Sequence, residues 1–294
     1  MVWLIGNRGM LGSDVAKALA ESGISYRASD AEVDIANPGA INSFISGFRD
    51  QIPDWIVNCA AWTDVEKAEA NREETYRINA RGPENLAHAS RRLGCALIHI
   101  STDYVFDGRS AVPYKETDKP NPVNVYGKSK LEGEHCVRRS LDRHFIIRTS
   151  WLFGLNGRSF PRTMIELFST KDTVQVVSDQ RGSPTYTRDL ARALLAVMKP
   201  GGGEPGTYHF CNGGETTWYG FALRIYERAR ALGIVNRTVD IRPVKAAQYS
   251  SAVLRPASSC LATDRFSEQF GCKIPEWGDA VERFLTGYKK GRDE

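Results

Sequence analysis

The sequence predicts an α/β fold: a doubly wound parallel sheet followed by a smaller, mixed C-terminal lobe. Three observations carry this. Short, almost continuously apolar runs alternate with longer stretches of helical period through the first half of the chain, as strands buried on both faces between crossover helices require. A glycine-rich turn joins the first such run to the first helical stretch. From about residue 152 the alternation loosens, and the strand-like runs become isolated.

The apolar runs are VWLIG (2–6), ISYRAS (24–29), WIVNCA (55–60), ALIHIS (96–101) and FIIRTS (145–150), with a helix expected from Leu11 to about Ser22. This spacing predicts βαβ units with right-handed crossovers. Beyond residue 152 stand TVQVV (173–177) and TYHFCN (207–212), read as strands of the second lobe, with the loop-like KPGGGEPG (199–206) before the latter. The division expected is residues 1–151 for the sheet, with 181–198 packing back on it, and 152–294 for the smaller lobe. No repeat or low-complexity tract interrupts this order.

Composition narrows the function classes. The chain has 294 residues, 41% hydrophobic and 25% charged, with a net charge of +4, and its basic residues form no block longer than a pair. Nucleic acid is therefore excluded as principal ligand. No run nears the roughly 18 apolar residues of a membrane span, and the apolar N-terminal run is too brief for an export signal. The six cysteines lack metal or paired spacing, which suits small buried side chains in a reducing cytoplasm. The five histidines show no metal spacing either, and no metal site is expected.

GNRGMLG places Gly6, Gly9 and Gly12 between the first strand and the first helix. Glycines there allow a tight turn, close approach of a pyrophosphate to helix N-terminal N–H groups, and helix-to-strand contact, the fingerprint of a Rossmann-type dinucleotide site. Met10 and Leu11, which open the helix, join this cofactor set. Asp30 follows the second strand, where a carboxylate accepts from an adenosine ribose 2′-OH and favours NAD. Arg27 and Ser29 lie close by in sequence, and a guanidinium there would instead take the 2′-phosphate of NADP, so the coenzyme is left as NADP or NAD. Asp34, read as solvent-facing by default, and Ile35 fall where the following loop passes the adenine. Ala61 and Thr63 end the third strand on the ligand side of the sheet, small enough to leave room for the cofactor.

The fourth strand ends in STDYVFDG, which brings Ser101, Thr102 and Asp103 to the same edge. NVYGKSKLEGE sets Tyr126 four residues before Lys130, on one helical face. The spacing is weak by itself, but the three side chains suit reduction of a carbonyl: Thr102 to hold the oxygen, Tyr126 to donate the proton, and Lys130 to tune the phenol and bind the cofactor ribose.

GNRGMLG, VNCAAWTDVEKAE, STDYVFDG, NVYGKSKLEGE, RTSWLFG, DQRGSPT and RPASSCL run in order over nearly the whole chain. Together they resemble the dTDP-4-dehydrorhamnose reductase family of the extended short-chain dehydrogenase/reductase superfamily. The resemblance implies NADPH- or NADH-dependent reduction of the 4-keto group of a dTDP-linked sugar. It assigns catalysis to Thr102, Tyr126 and Lys130, substrate contact to Trp151, and support of the active-site helix to Asn79, and it implies a monomer or homodimer. Another sugar-nucleotide reductase or epimerase, or a non-catalytic NADP-binding subunit, stays open. Some family members hold Mg²⁺ at a dimer interface through glutamates. The matching positions here are Asp14 and Arg188, and an arginine repels a cation.

Overall fold

The computed structural model describes residues 1–48, 51–199, 201–248 and 253–293. Pro200 of the KPGGGEPG loop, and residues 249–252 and 294 of the second part, lie outside the described residues. The central sheet has six parallel strands in the order β10-β5-β4-β3-β1-β2, made of β1 (Val2–Ile5), β2 (Tyr26–Ser29), β3 (Trp55–Asn58), β4 (Ala96–Thr102), β5 (His144–Thr149) and β10 (Gly206–His209). β1 carries β2 on one side and β3 on the other, so the strand order reverses there. Ligands of open α/β sheets bind beyond the strand ends at such a point.

Adjacent residues of each strand face opposite layers. Leu4, Val57, Ile98 and Ile147 join one cluster with Leu11, Val15, Leu190 and Leu194, under α1 (Met10–Glu21) and α8 (Thr187–Val197). Trp3, Ile5, Ile56, Leu97 and Ile146 join the other with Leu86 and Val137, under α2 (Pro38–Ser46), α5 (Gly82–Leu93) and α6 (Val125–Ser140). Each fully buried aliphatic side chain contributes about 1.5–3 kcal/mol, which explains the near-continuous apolar runs. Between β3 and α5 the chain forms α3 (Val65–Ala70), α4 (Arg72–Tyr76) and a π-helical turn over Arg77–Arg81.

One strand corrects the sequence reading. The TYHFCN run does not stay in the second lobe: β10 pairs in parallel with β5 and closes the edge of the main sheet. Tyr208 and Phe210 pack there against α10 (Asp264–Phe270). An isolated run shows its apolar character but not which edge it will join, and this partner lies some 60 residues back.

The remaining elements surround a second core built on Phe153, Phe168, Phe221, Ile225, Val281 and Phe284. These are α7 (Phe160–Thr170), α9 (Trp218–Ala231) and α11 (Trp277–Asp293), with three two-stranded pairs. β6 (Leu152–Phe153) pairs with β9 (Thr185–Tyr186), β7 (Thr173–Val177) with β12 (Asp240–Val244), and β8 (Arg181–Gly182) with β11 (Thr216–Thr217).

Candidate active site

A cleft of about 860 Å³ runs along the carboxyl ends of β1, β3 and β4 and reaches the second core. Its walls include Gly6, Gly9, Met10, Leu11, Asp30, Asp34, Ile35, Ala61 and Thr63 at one end. Thr102, Asp103, Tyr126, Lys130 and Trp151 stand at the other. Of the residues singled out in the sequence for cofactor, catalysis or substrate, Arg27 and Ser29 are off the wall, and so is Gly12. It lies beneath the turn, where an added Cβ would fall 2.0 Å from Gly6 O.

The glycine turn fits a dinucleotide. Gly6 has φ +76°, and a Cβ on it would meet Ala60 N at 2.8 Å. Gly9 is the N-cap of α1 and offers no side-chain cap, and the first turn carries no acid. The orphan N–H groups of that turn are a ready anion cradle.

Around the ribose position the residues differ from the reading. Arg27 points away, stacked on Phe44 and Phe48 with its guanidinium carbon 4.9 and 5.4 Å from the ring centroids. It donates to Gly47 O at 2.7 Å. Ser29 is buried, accepting from Trp3 Nε1 at 2.9 Å. The cation beside Asp30 is Arg8, from the glycine turn, whose backbone N–H donates to Asp30 Oδ2 at 2.9 Å. Asp34, read as solvent-facing, is partly exposed and also accepts from Arg77 Nη1 at 2.7 Å. That pairing spans 43 residues, and local sequence carries no sign of it.

At the reacting end, Asn124 caps α6 by accepting from Gly127 N at 2.8 Å. It also donates to Leu254 O at 2.9 Å, tying the helix to the second lobe. Tyr126 rises from the first turn, edge-on to Tyr104 with centroids 5.5 Å apart. Burial pushes its phenol above the usual range, with the Thr102 hydroxyl opposing that push and Asp103 adding to it. Tyr126 is therefore held protonated, the state a proton donor needs. Lys130, 2% exposed, donates from Nζ to Ile100 O at 2.6 Å. Burial pulls its ammonium down to about 8, and Glu134 works against that. Burial lifts the Asp103 carboxyl to about 6, while Thr102 Oγ1 donates to its Oδ1 at 2.9 Å.

Asn79 is buried inside the π-helical turn. It accepts from Trp62 N at 2.8 Å and donates to Trp62 O and to Ser129 Oγ, both at 3.0 Å. Such turns recur at functional sites, and this one locks α6 to the end of β3.

The sequence reading missed Trp218 and Arg255, both on the cleft wall. Trp218 opens α9 and stacks on Trp151. Arg255 pairs with Glu66 at 2.8 Å, from the C-terminal segment to α3. Arg255 opens the RPASSCL string, which carried the resemblance but no role for the arginine, and nothing local distinguishes Trp218; each reaches the site only through the packing of the second lobe. Tyr104 also lines the cleft.

Asp14 and Arg188 lie together, Oδ1 to Nε 3.5 Å, and Thr187 Oγ1 donates to the other oxygen of Asp14 at 2.5 Å. A guanidinium thus neutralises the carboxylate at that position. Among the described residues no group of three or more His, Cys, Asp or Glu could hold a metal ion, and no helix is long and apolar enough to cross a membrane.

The family model for the RmlD substrate binding domain matches residues 1–290. A dTDP-4-dehydrorhamnose reductase of Aggregatibacter actinomycetemcomitans is 38% identical over 285 residues, 95% of this chain and 96% of that protein. The enzyme of that name from Salmonella typhimurium is 35% identical over 292 residues, 97% of each. The crystal structure of a Bacillus anthracis dTDP-4-dehydrorhamnose reductase in complex with NADP superposes with a TM-score of 0.90 at 35% identity, covering 97% of this chain and 98% of that one. With the cleft, the glycine turn and the Thr102, Tyr126 and Lys130 cluster beside these matches, the chain belongs to the dTDP-4-dehydrorhamnose reductase family.

Proposed function

We propose that the protein reduces the 4-keto group of dTDP-4-dehydro-L-rhamnose to dTDP-L-rhamnose with NADPH or NADH. The observation that carries this reading is one cleft that joins a glycine turn fit for a dinucleotide to a partly buried Tyr126, held protonated beside Thr102 and Lys130. Residues 1–151, with α8, serve the coenzyme, and 152–294 mainly the substrate. The reaction belongs in the cytoplasm, where nucleotide sugars are built, and the chain works as a monomer or homodimer.

The reduced coenzyme, when bound, supplies the hydride. The phenol of Tyr126 gives its proton to the sugar carbonyl oxygen as the carbonyl becomes an alcohol, and Thr102 stabilises the charge gathering on that oxygen. The ammonium of Lys130 offsets the phenolate left behind. Glycines 6 and 9 and the start of α1 receive the pyrophosphate of the coenzyme. Arg255, beyond Tyr104 at the mouth, is the cation suited to the diphosphate of the nucleotide sugar, and Trp151 and Trp218 form an aromatic wall for the sugar nucleotide.

The test is NAD(P)H oxidation by purified protein with the dTDP-keto-sugar, run beside a panel of other nucleotide sugars. Oxidation that depends on the dTDP-keto-sugar supports the reading. Faster turnover of another nucleotide sugar would transfer the site to a related reductase or epimerase, and silence toward all of them with coenzyme still bound would point to a binding subunit.

A further inference from the structure

The ribose end of the cleft carries two carboxylates and one arginine in an arrangement that neither a plain NAD site nor a plain NADP site requires. Asp30 is fixed by backbone donors: Oδ1 accepts from Ala31 N at 2.8 Å and Oδ2 from Arg8 N at 2.9 Å. Each oxygen keeps a lone pair for a ribose hydroxyl. The side chain of Arg8 turns back over this corner. Its Nη2 lies 2.6 Å from Glu32 Oε2 and 3.6 Å from Asp30 Oδ1. Glu32 is held from its other oxygen, Oε1 accepting from Asp30 N at 2.7 Å. Arg8 and Glu32 are 66% and 56% exposed, against 22% for Asp30.

Arg8 and Glu32 stand just outside the wall, beside Asp30, and the described cations that do line the cleft are engaged elsewhere: Arg77 with Asp34 and Glu74, Lys130 with Ile100 O, and Arg255 with Glu66. A 2′-phosphate, carrying about −1.5 to −2 charges, would stand beside Asp30 and Glu32, and Arg8 is the cation at that corner to receive it. A 2′-hydroxyl asks nothing of Arg8 and needs Asp30 alone.

We propose that Glu32 and Arg8 form a latch that sets coenzyme choice: NADH binds with Arg8 held on Glu32, and NADPH binds by drawing Arg8 from Glu32 onto the 2′-phosphate. The exposure of the pair makes the exchange easy, because an exposed ion pair is held weakly, whereas a phosphate offers the guanidinium a bidentate, doubly charged partner. Glu32 thus acts as a brake on NADPH. The latch rests on the proposed function only in taking the cleft as an NAD(P)H site.

Equilibrium titration of nicotinamide fluorescence, with neither turnover nor sugar present, reads the latch directly. Adenosine 2′,5′-bisphosphate against AMP serves as a fragment pair that differs only in the 2′-phosphate. Arg8→Ala is expected to weaken NADPH and the bisphosphate by about tenfold or more, with NADH and AMP moved less than about twofold. Glu32→Gln is expected to tighten NADPH relative to NADH by several-fold, and the difference should shrink as salt screens the exposed charges. Arg8→Lys should restore part of the NADPH binding, since charge returns without the fork. A NADPH-to-NADH ratio unmoved by both Arg8→Ala and Glu32→Gln overturns the latch and leaves the reductase reading standing. Failure of the unaltered protein to bind either coenzyme overturns both.

Discussion

The indoles of Trp151 and Trp218 stack with ring centroids 3.5 Å apart and planes 8° from parallel, and Trp151 holds its place with φ +46°. Left-handed backbone at a bulky residue costs on the order of 1–3 kcal/mol and persists only where surroundings enforce it. The enforcement is visible: Gly182 lies so close to the ring that an added Cβ would sit 2.4 Å from Trp151 Cε2. Trp218→Ala should let Trp151 relax, raising KM for the nucleotide sugar by about tenfold while NADPH binding stays within about twofold. Unchanged KM in steady-state assays would remove the pair from substrate positioning.

Loss of the Tyr126 hydroxyl in Tyr126→Phe should lower kcat by about 10²–10⁴-fold and leave coenzyme affinity near normal. Burial keeps the phenol protonated, so the hydroxyl is present as an acid throughout the neutral range. Single-turnover measurement with preloaded NADPH isolates the chemical step. A variant that keeps most of the rate would require another proton donor.

The β1, β3, β4 and β5 runs were legible because strands buried on both faces are apolar at nearly every position, whereas the exposed edge strand β2 was legible only from its place after α1, and α1 was legible because its glycine turn is local. Tyr126 and Lys130 share a helix, so their spacing survives in sequence. β10, Trp218 and Arg255 were not legible, because each depends on a long-range contact whose partner leaves no periodic mark. Arg8 and Arg27 show the limit most directly. Both are arginines near Asp30 in sequence or space, and the choice between them was made by Phe44 and Phe48, which capture Arg27 on the far side of the sheet edge.

Activity in the reductive direction should fall as pH rises through about 8. Burial brings Lys130 to about 8 against the opposing pull of Glu134, and above that value the neutral amine no longer offsets the phenolate. The same group fixes a sign for stability. The native state binds fewer protons than the unfolded chain between about 8 and the ordinary lysine value, so this contribution to stability rises with pH across that window. A pH profile of kcat/KM, with denaturant midpoints at matching pH, checks both. A rate flat from pH 7 to 9.5 would show that Lys130 does not titrate in the working enzyme.

On the buried face of the active-site helix α6, Glu134 accepts from Ser101 Oγ at 2.6 Å, from Arg148 Nε at 2.8 Å and Nη2 at 2.7 Å, and from Arg138 Nη2 at 2.7 Å. Burial pushes its carboxyl up, but Arg148 and Arg138 outweigh that and bring it down to about 2. The carboxylate therefore contributes stability that is full above the ordinary glutamate value of about 4.3 and is lost as pH falls toward 2. Glu134→Gln would leave the buried Arg148 without its counter-charge, at a cost of about 3–5 kcal/mol. It would also withdraw the group that supports the charge on Lys130, moving the alkaline limb of the rate below pH 8. Urea titrations at pH 7 and pH 3 test the charge contribution to stability, because the variant should be much weaker than the parent at pH 7 and closer to it at pH 3, and the pH profile of the rate reads the shifted limb. Equal losses at both pH values would mean that the packing of the side chain matters rather than its charge.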